Sequence, residues 1–400
     1  MGYKLLSSLF YSNKDTYEEI YNRRINSEST YNFNFKIGKY DAFVVINNDI
    51  LQQIDKILDL DKKLLFCTKT VPPIALNEYS RKCLIDEIKT TNDIEGVHST
   101  RREINAILND KNDKKEHKRL YGIVKKYEML INGEDIELKT CQDIRNLYDE
   151  FTLKDVVSEN KENEPDGTIF RNEIVYVYND KQKIIHRGVN PESEIIKIMS
   201  NCLEFLNDSN YNFLIRIAVF HYMFGYIHPF YDGNGRTSRF ISSYLLCKRL
   251  EYLVAYRLSY TIRQNIKKYY KSFDIVNDEK NKGDLTSFVI TFFDFIIESI
   301  EDLCISLIER REKLEFFEEA IDSFTDDDKL GKVMYILVQN SLFGEEGLGV
   351  VELSSVLNIG KSKIRELLKI LENKQLILKN KSGNKYIYRI DLDKLIELSN

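Results

Sequence analysis

Residues 228–240 read HPFYDGNGRTSRF. The stretch contains a histidine, an acid, two glycines on either side of an asparagine, and two arginines. Each residue type alone has an ordinary explanation, as a helix stop, a turn or a surface cation. Their order, however, is typical of a site that holds a chain of phosphate groups beside a proton acceptor, and chance assembly of so many specified positions is improbable.

Helices are expected on both sides of this stretch. Apolar residues recur at helical spacing in LIRIAVFHYMFGYI (214–227), and Pro229 predicts that this helix ends near Ile227. A second periodic run resumes after Arg236. The DGNG loop therefore lies at a helix N-terminus, where unpaired amide groups and the helix dipole favour an anion.

The side chains of the loop fit a polyphosphate ligand. Gly233 and Gly235 allow the backbone to approach phosphate oxygens closely, and Asn234 adds a side-chain donor. Arg236 and Arg239 are three residues apart on the predicted helix, so both can face the same polyphosphate.

Three further residues complete the predicted site. Asp232 supplies a hard oxygen ligand suited to Mg²⁺ that bridges phosphates. His228, with a reference pKa near 6.5, can accept a proton from a hydroxyl group, which is typically worth about 10²- to 10⁴-fold in rate. Phe230 is predicted to anchor the loop by packing against the core.

The stretch resembles the signature of the Fic family, HPFx(D/E)GNGRxxR, which is met in full from His228 to Arg239. The resemblance implies a protein adenylyltransferase, which moves AMP from ATP to a Ser, Thr or Tyr hydroxyl of a protein and releases pyrophosphate. The resemblance implies that His228 is the general base and that Asp232 holds Mg²⁺. It also implies that the α-phosphate is held by Asn234 and the neighbouring amides of Gly233 and Gly235. By the same resemblance, Arg236 holds the β-phosphate and Arg239 holds the γ-phosphate.

Two other stretches gain an interpretation from the resemblance. EIVYVYNDKQKIIHRGV (173–189) has two β-rich arms around Asn179-Asp180-Lys181. It is similar to the family's flap, which adds the target segment as an extra strand; a surface hairpin is the alternative. Tyr270 and Asn277 resemble residues that line the adenine pocket of similar proteins, although an ordinary amphipathic helix explains them equally.

Residues 90–96 read TTNDIEG and end a predicted helix that begins near Asn77. Gly96 suits the C-cap, whereas Glu95 near a helix C-terminus is slightly unfavourable. The pattern Thr91-x-x-x-Glu95-Gly96 resembles the family's inhibitory helix. This resemblance implies that Glu95 pairs with Arg239 and deprives the γ-phosphate of its counter-charge; in some relatives the same glutamate supports removal of AMP instead.

Composition indicates a globular protein without an overall basic field. The chain is 43% hydrophobic and 12% aromatic, with a net charge of −5 and a pI near 5.8. Six scattered cysteines fit neither a zinc site nor a disulfide framework, so we expect reduced core thiols. No apolar run approaches the length of a membrane span, and we expect a cytoplasmic protein without membrane contact.

The predicted fold class is mainly α, in three segments. Residues 1–71 form a small mixed region that ends at Val71-Pro72-Pro73, and residues 72–314 form a Fic helical core with the flap hairpin. Residues 329–400 have the order helix, helix, helix, strand, turn (Lys381-Ser382-Gly383-Asn384), strand, which is typical of a winged helix-turn-helix.

The C-terminal segment carries 12 Lys and Arg against 8 Asp and Glu. Its cations Lys361, Lys363, Arg365 and Lys369 are available for DNA phosphates. Docking of a protein or a second copy of the chain, or simple structural capping, are the alternatives to DNA contact.

Three classes of function remain open at this level. The first is AMP transfer to a target protein or to the chain itself. The second is transfer of another group by the same site: a different nucleotide, phosphocholine, or phosphate from an inverted ATP. The third is a DNA-binding regulator that uses the core as a nucleotide sensor. The intact Arg239 favours a triphosphate in the usual orientation, and the presence of His228 argues against a sensor, which needs no base.

Overall fold

The computed structural model describes residues 3–109, 119–178, 184–382 and 385–399. The chain divides into two compact units. The first consists of residues 1–61 and 85–300, and the second of residues 62–84 and 301–400. Residues 1–61 of the predicted N-terminal region therefore belong to the same unit as the central helices, whereas residues 62–71 belong to the second unit. This division differs from the three consecutive segments that we predicted.

The N-terminal region is mixed, as the sequence predicted. Its elements are α1 (Leu6–Ser12), α2 (Lys14–Ile25), β1 (Thr30–Ile37), β2 (Tyr40–Val45) and α3 (Asn48–Lys69). The side chain of Asn13 caps α2 by accepting hydrogen bonds from the amides of Asp15 and Thr16. The two strands pair antiparallel, and β1 buries alternate residues, Phe33, Phe35 and Ile37.

Helix α4 (Pro73–Ile94) begins four residues before the predicted start at Asn77. Proline at the first helical position has no N–H to leave unpaired, and its fixed φ suits the helix. Pro73 therefore starts α4 rather than excluding it.

The central part of the first unit is helical. Its helices are α5 (Arg101–Leu108), α6 (Tyr121–Ile131), α7 (Cys141–Tyr148), α8 (Lys154–Glu159), α9 (Glu192–Asn207), α10 (Phe213–Ile227), α11 (Asn234–Cys247), α12 (Leu258–Gln264), α13 (Ile266–Asn277) and the start of α14 (Thr286–Phe324). Residues 301–324 of α14 belong to the second unit. A π-helical segment, Asp149–Leu153, joins α7 to α8. Most side chains of α10 and α11 are buried, so these two helices and the loop between them lie inside the unit.

A hairpin of β3 (Tyr176–Tyr178) and β4 (Ile184–Arg187) lies between α8 and α9. The strands pair antiparallel, with Tyr176 opposite Arg187 and Val177 opposite His186. The predicted turn, Asn179-Asp180-Lys181, lies outside the described residues.

The C-terminal part contains the predicted order of elements and two that were not predicted, a short strand and a final helix. The elements are α15 (Asp328–Phe343), β5 (Leu348–Gly349), α16 (Val350–Leu357), α17 (Lys361–Asn373), β6 (Ile377–Ser382), β7 (Lys385–Ile390) and α18 (Leu392–Ser399). The strands form a sheet in the order β5-β7-β6. In the predicted turn, Gly383 and Asn384 lie outside the described residues.

The basic residues of α17 are not all available to a partner. Lys361, Arg365 and Lys369 are exposed, whereas Lys363 pairs with Glu366 at 2.8 Å. Contact with DNA, or with another protein, stays a prediction.

Two predictions about the whole chain can be compared with the structure. All six cysteines are free thiols, and all except Cys247 are buried. Over the residues that the structure describes, no helix combines the length and apolar character that crossing a membrane requires.

Candidate functional site

The loop between α10 and α11 is held in an unusual backbone conformation. Helix α10 ends at Ile227, as predicted, and His228 follows with φ 53° and ψ 61°. This left-handed region is uncommon for a residue with a side chain, and it is stable only where the surroundings enforce it. The conformation separates the end of α10 from Pro229 and turns the chain toward α11.

Phe230 anchors the loop, as the sequence predicted. Its side chain is fully buried, stacked on Tyr148 at a ring separation of 3.6 Å and in edge contact with Phe170 at 5.6 Å. The Tyr148 hydroxyl also donates to the carbonyl oxygen of Asp232 at 3.1 Å. The loop is thus fixed to α7 through both its side chains and its backbone.

Asn234 closes the loop through its side chain. Its Oδ1 accepts from the amide of Phe230 at 3.0 Å, and its Nδ2 donates to the Phe230 carbonyl at 2.8 Å. We predicted a side-chain donor for phosphate at this position, but the structure shows a loop brace. The phosphate role of Asn234 stays a prediction. Because its side chain is engaged within the loop, its main-chain amide, at the first position of α11, is the group that would contact a phosphate.

The two glycines serve different needs. Gly233 precedes α11 with φ 78°, a conformation that favours glycine. Gly235 has no positive φ, but a Cβ there would overlap the Oε1 atom of Glu95 and approach Arg239 Nη1 to 2.9 Å. Gly235 therefore lets an anionic oxygen approach the backbone at the start of α11.

Arg236 is a buried cation without a hydrogen-bond partner among the residues that the structure describes. Its side chain is 0% exposed, and none of its three guanidinium nitrogens makes a hydrogen bond. The Asp232 carboxylate lies 3.6 Å from Nη2 and is partly exposed. Buried polar groups nearly always have partners, so such a guanidinium indicates a place for an anionic ligand.

Arg239, by contrast, is fully engaged by the end of α4. Its Nη2 lies 2.8 Å from Oε1 of Glu95 and donates to the Thr91 carbonyl at 2.9 Å. Its Nε donates to Thr91 Oγ1, also at 2.9 Å. The predicted pairing of Glu95 with Arg239 is therefore present in the structure, with Thr91 as an additional partner that we did not predict.

Glu95 reaches Arg239 from a turn just beyond α4. Gly96 has φ 74°, as expected of a C-capping glycine. The amide of Gly96 donates to Asp93 and that of Val97 to Asn92, which closes the turn. The predicted cap therefore aims the carboxylate toward α11.

The imidazole of His228 has the protonation state that a base requires. Burial lowers its pKa to about 4, so the ring is neutral near pH 7. Its Nδ1 lies 3.3 Å from the Gly225 carbonyl, which can only accept a hydrogen bond. We therefore assign the proton to Nδ1, which leaves the lone pair on Nε2 for a substrate hydroxyl.

Tyr270 and Asn277 both lie on α13 but in different settings. Tyr270 is 45% exposed, beside the buried ring of Tyr269 at 5.5 Å. Asn277 Oδ1 accepts from the Tyr222 hydroxyl at 2.6 Å. Their predicted role in an adenine pocket stays a prediction.

A buried polar network beneath α11 was not apparent from the sequence. His221 on α10 contacts Ser242 through Nδ1 at 2.8 Å and the Tyr269 hydroxyl through Nε2 at 2.9 Å. Burial lowers the pKa of His221 to about 3. The three residues are separated by long stretches of chain, so no local pattern could have identified their association.

Glu87 is a second buried group that the sequence did not indicate. It lies on α4 and accepts hydrogen bonds from the amides of Ser259 and Tyr260 in the first turn of α12. Burial raises its pKa to about 7. Its carboxylate therefore joins α4 to α12 two turns before Glu95.

Comparisons with known proteins agree with this geometry. The sequence model of the Fic/DOC family matches residues 140–246. Over 153 residues the chain is 31% identical to a protein from Aedes aegypti named protein adenylyltransferase Fic. That alignment covers 36% of this chain and 27% of the mosquito protein, so the chain spans about a quarter of this curated relative.

Two solved structures match the chain at low sequence identity. A Fic family protein from Desulfovibrio desulfuricans G20 matches with a TM-score of 0.54 and 18% identity, over 86% of this chain and 97% of that chain. A part of Fic-1 from C. elegans matches with a TM-score of 0.44 and 18% identity, over 65% of this chain and 74% of that chain. The mainly helical fold class predicted from the sequence is confirmed by the first of these.

Proposed function

Because the chain belongs to the Fic/DOC family, we propose that it is a nucleotidyltransferase that moves AMP from ATP to a hydroxyl group of a protein. The observation that carries the proposal is the buried guanidinium of Arg236, in the first turn of α11. Its nitrogens have no hydrogen-bond partner among the described residues. A polyphosphate would supply the missing acceptors. The neutral imidazole of His228 lies at the start of the same loop.

The proposed reaction uses the residues of this chain as follows. Nε2 of His228 takes the proton of the target hydroxyl, and the oxygen attacks the α-phosphorus of ATP. The bond from that phosphorus to the bridging oxygen breaks, and pyrophosphate leaves with the electron pair. Amides at the start of α11, with Arg236, stabilise the charge on the phosphate oxygens. The products are an AMP-modified hydroxyl and pyrophosphate.

Asp232 would hold Mg²⁺ in this site. The described residues contain no cluster of three or more His, Cys, Asp or Glu that could hold a metal. Mg²⁺ commonly uses one or two carboxylates together with substrate phosphates and water, so the single, partly exposed carboxylate of Asp232 fits it. The ion would neutralise phosphate charge when bound.

We further propose that the pair of Glu95 and Arg239 inhibits the enzyme. The Glu95 carboxylate occupies the space over Gly235 and engages Arg239, which the γ-phosphate would otherwise contact. The two anions compete for one guanidinium. Each 1.4 kcal/mol that favours the internal pair would reduce productive ATP binding about tenfold.

The experiment that tests the proposal is transfer of labelled ATP to the protein itself. We expect Glu95→Gly to raise auto-modification about tenfold or more, and His228→Ala to abolish it in that background. Glu137→Gly, which removes an exposed carboxylate that pairs with Lys139 at 3.5 Å, is the matched control.

Mass spectrometry of the modified protein identifies the transferred group. A mass increase of one AMP supports the proposal, whereas an increase of one phosphate would assign the site to another transfer. An unchanged rate in Glu95→Gly would remove inhibition from the mechanism and leave AMP transfer to be judged by His228→Ala.

A further inference from the structure

Arg171 is a buried arginine just before the flap hairpin, and all its hydrogen bonds go to carbonyl oxygens. The side chain is 0% exposed. Its Nε donates to His228 at 2.8 Å, its Nη1 to Glu173, and its Nη2 to Val189 at 2.8 Å and Ile227 at 3.4 Å. No sequence motif pointed to this residue.

Two of these four acceptors, the carbonyl oxygens of Ile227 and His228, lie at the C-terminus of α10. The last carbonyls of a helix have no partner within the helix. Arg171 satisfies those of Ile227 and His228, and the amide of Arg171 donates to the Pro229 carbonyl at 3.3 Å. These bonds hold His228 in its left-handed conformation, which a residue with a side chain adopts only under constraint.

The other two acceptors are carbonyl oxygens at the two ends of the flap hairpin. Glu173 lies just before β3, and Val189 lies just after β4. The amide of Val189 also donates to the Ile227 carbonyl at 3.0 Å. One guanidinium therefore joins both ends of the hairpin to the residue that carries the candidate base.

Gly188 allows this close association. A Cβ at this position would lie 2.5 Å from Arg171 Nη2 and 3.2 Å from His228 Cβ. A side chain at position 188 would therefore separate the guanidinium from the histidine backbone.

We propose that Arg171 is a positioning residue, which fixes the flap and the backbone of His228 as one rigid group so that a flap-bound hydroxyl meets the imidazole. The catalytic part of this proposal rests on the proposed function. Misplacement of reacting groups by about 1 Å typically costs about a hundredfold in rate. The hydrogen bonds of the Arg171 side chain go to His228, Glu173, Val189 and Ile227 rather than to α11, so we expect its loss to affect the rate more than ATP binding.

The test uses the full chain with Glu95→Gly, in which transfer is measurable. We expect Arg171→Met to lower kcat for auto-modification about a hundredfold while the KM for ATP stays within about twofold. Arg171→Lys keeps the positive charge and can reach some of the carbonyl oxygens. We therefore expect its kcat to be about a tenth of that of the Glu95→Gly parent or higher. Arg216→Met is the control, since Arg216 is on α10 and donates to the Leu206 carbonyl at 2.6 Å, away from the loop.

A second measurement does not depend on activity. Hydrogen exchange of the amides in β3 and β4 should become faster in Arg171→Met and remain unchanged in Arg216→Met. Faster exchange without any transferase activity in the parent would refute the proposed function and leave the anchoring role intact. The proposal is overturned by unchanged kcat and exchange, by a parallel loss of ATP affinity, or by failure of both Arg171 variants to fold.

Discussion

Arg236, whose guanidinium is buried, is the single residue that most supports the proposed polyphosphate ligand. Removing a guanidinium from water costs several kcal/mol unless hydrogen bonds replace the hydration. Within the described residues Arg236 makes no hydrogen bond, and its charge is compensated only through space, by the Asp232 carboxylate at 3.6 Å and by the buried carboxylate of Asp155. The protein keeps a charge that weakens the free fold, which is expected where a substrate supplies the partner.

Replacing Arg236 should therefore separate stability from binding. We expect Arg236→Met to reduce ATP affinity at least about a hundredfold, because a charge-assisted bidentate contact is lost. The unfolding free energy without nucleotide should stay the same or rise by about 1 to 4 kcal/mol. Calorimetric titration in the Glu95→Gly background and urea unfolding measure the two effects, with Arg216→Met as the control. ATP binding as tight as in the parent would contradict the assignment.

Sequence patterns predicted single residues well where the chemistry is local. The burial of Phe230 and the cap at Gly96 follow from neighbours in the chain. The brace formed by Asn234 could not be told from a phosphate contact, because both use the same amide group. Arg171 could not be found, since its acceptors at Ile227 and His228 are more than 50 residues away.

At the scale of elements, α4 presents a line of polar groups to the core. Glu87, Thr91 and Glu95 are spaced by four residues, so they lie along one side of the helix and its terminal turn. Glu87 accepts from the amides at the start of α12, and Thr91 and Glu95 both contact the guanidinium of Arg239. Inhibition should therefore depend on more than Glu95.

Thr91→Val tests the second contribution. Valine keeps the shape of threonine but cannot accept the hydrogen bond from Arg239 Nε. A lost hydrogen bond of about 0.5 to 1.5 kcal/mol should raise auto-modification by roughly two- to tenfold, less than Glu95→Gly does. Thr90→Val, on the neighbouring position of α4, is the control. A rate equal to that of the parent would show that the Thr91 hydroxyl does not contribute to holding Arg239.

The boundaries of elements could be predicted where one residue type dominates. Pro229 marked the end of α10, and two β-rich arms marked the flap strands. Strand β5 was not predicted, because two residues carry no periodicity and its pairing with β7 joins distant parts of the chain. The early start of α4 at Pro73 was also missed, since we treated proline only as a helix stop.

At the scale of the whole molecule, every predicted site residue belongs to the first compact unit, residues 1–61 and 85–300. The inhibitory residues belong to that unit as well. The proposed base, phosphate contacts and inhibitory pair therefore all lie within residues 85–300, although helix α4, which leads to Glu95, begins in the second unit.

The stability of this unit should depend on pH in two opposite ways. Burial lowers the pKa values of His221 and His228 to about 3 and about 4. Below about pH 6.5 the unfolded chain binds protons that the folded chain does not, so stability falls as pH decreases toward 4. The slope is at most about 1.4 kcal/mol per pH unit for each histidine. Glu87, whose folded pKa is raised to about 7, acts oppositely, and stability falls as pH rises from about 4.5 to 7.

Urea unfolding between pH 4 and 8 measures these contributions. His221→Asn should flatten the rise of stability with pH between 4 and 6.5, and Glu87→Gln should make it steeper. Parallel profiles for the parent and both variants would show that these groups do not titrate with the shifts described.

Glu95 lies in the turn closed by Gly96 rather than inside α4, so the proposed inhibitory contact with Arg239 depends on the backbone of that turn. Rotating a few backbone angles would swing the carboxylate aside while the helix stays in place. Thr100, five residues after Glu95, caps α5 with its side chain, and its amide donates to the Glu103 carboxylate. A displacement of α5 would therefore act on the contact between Glu95 and Arg239 through this short connection.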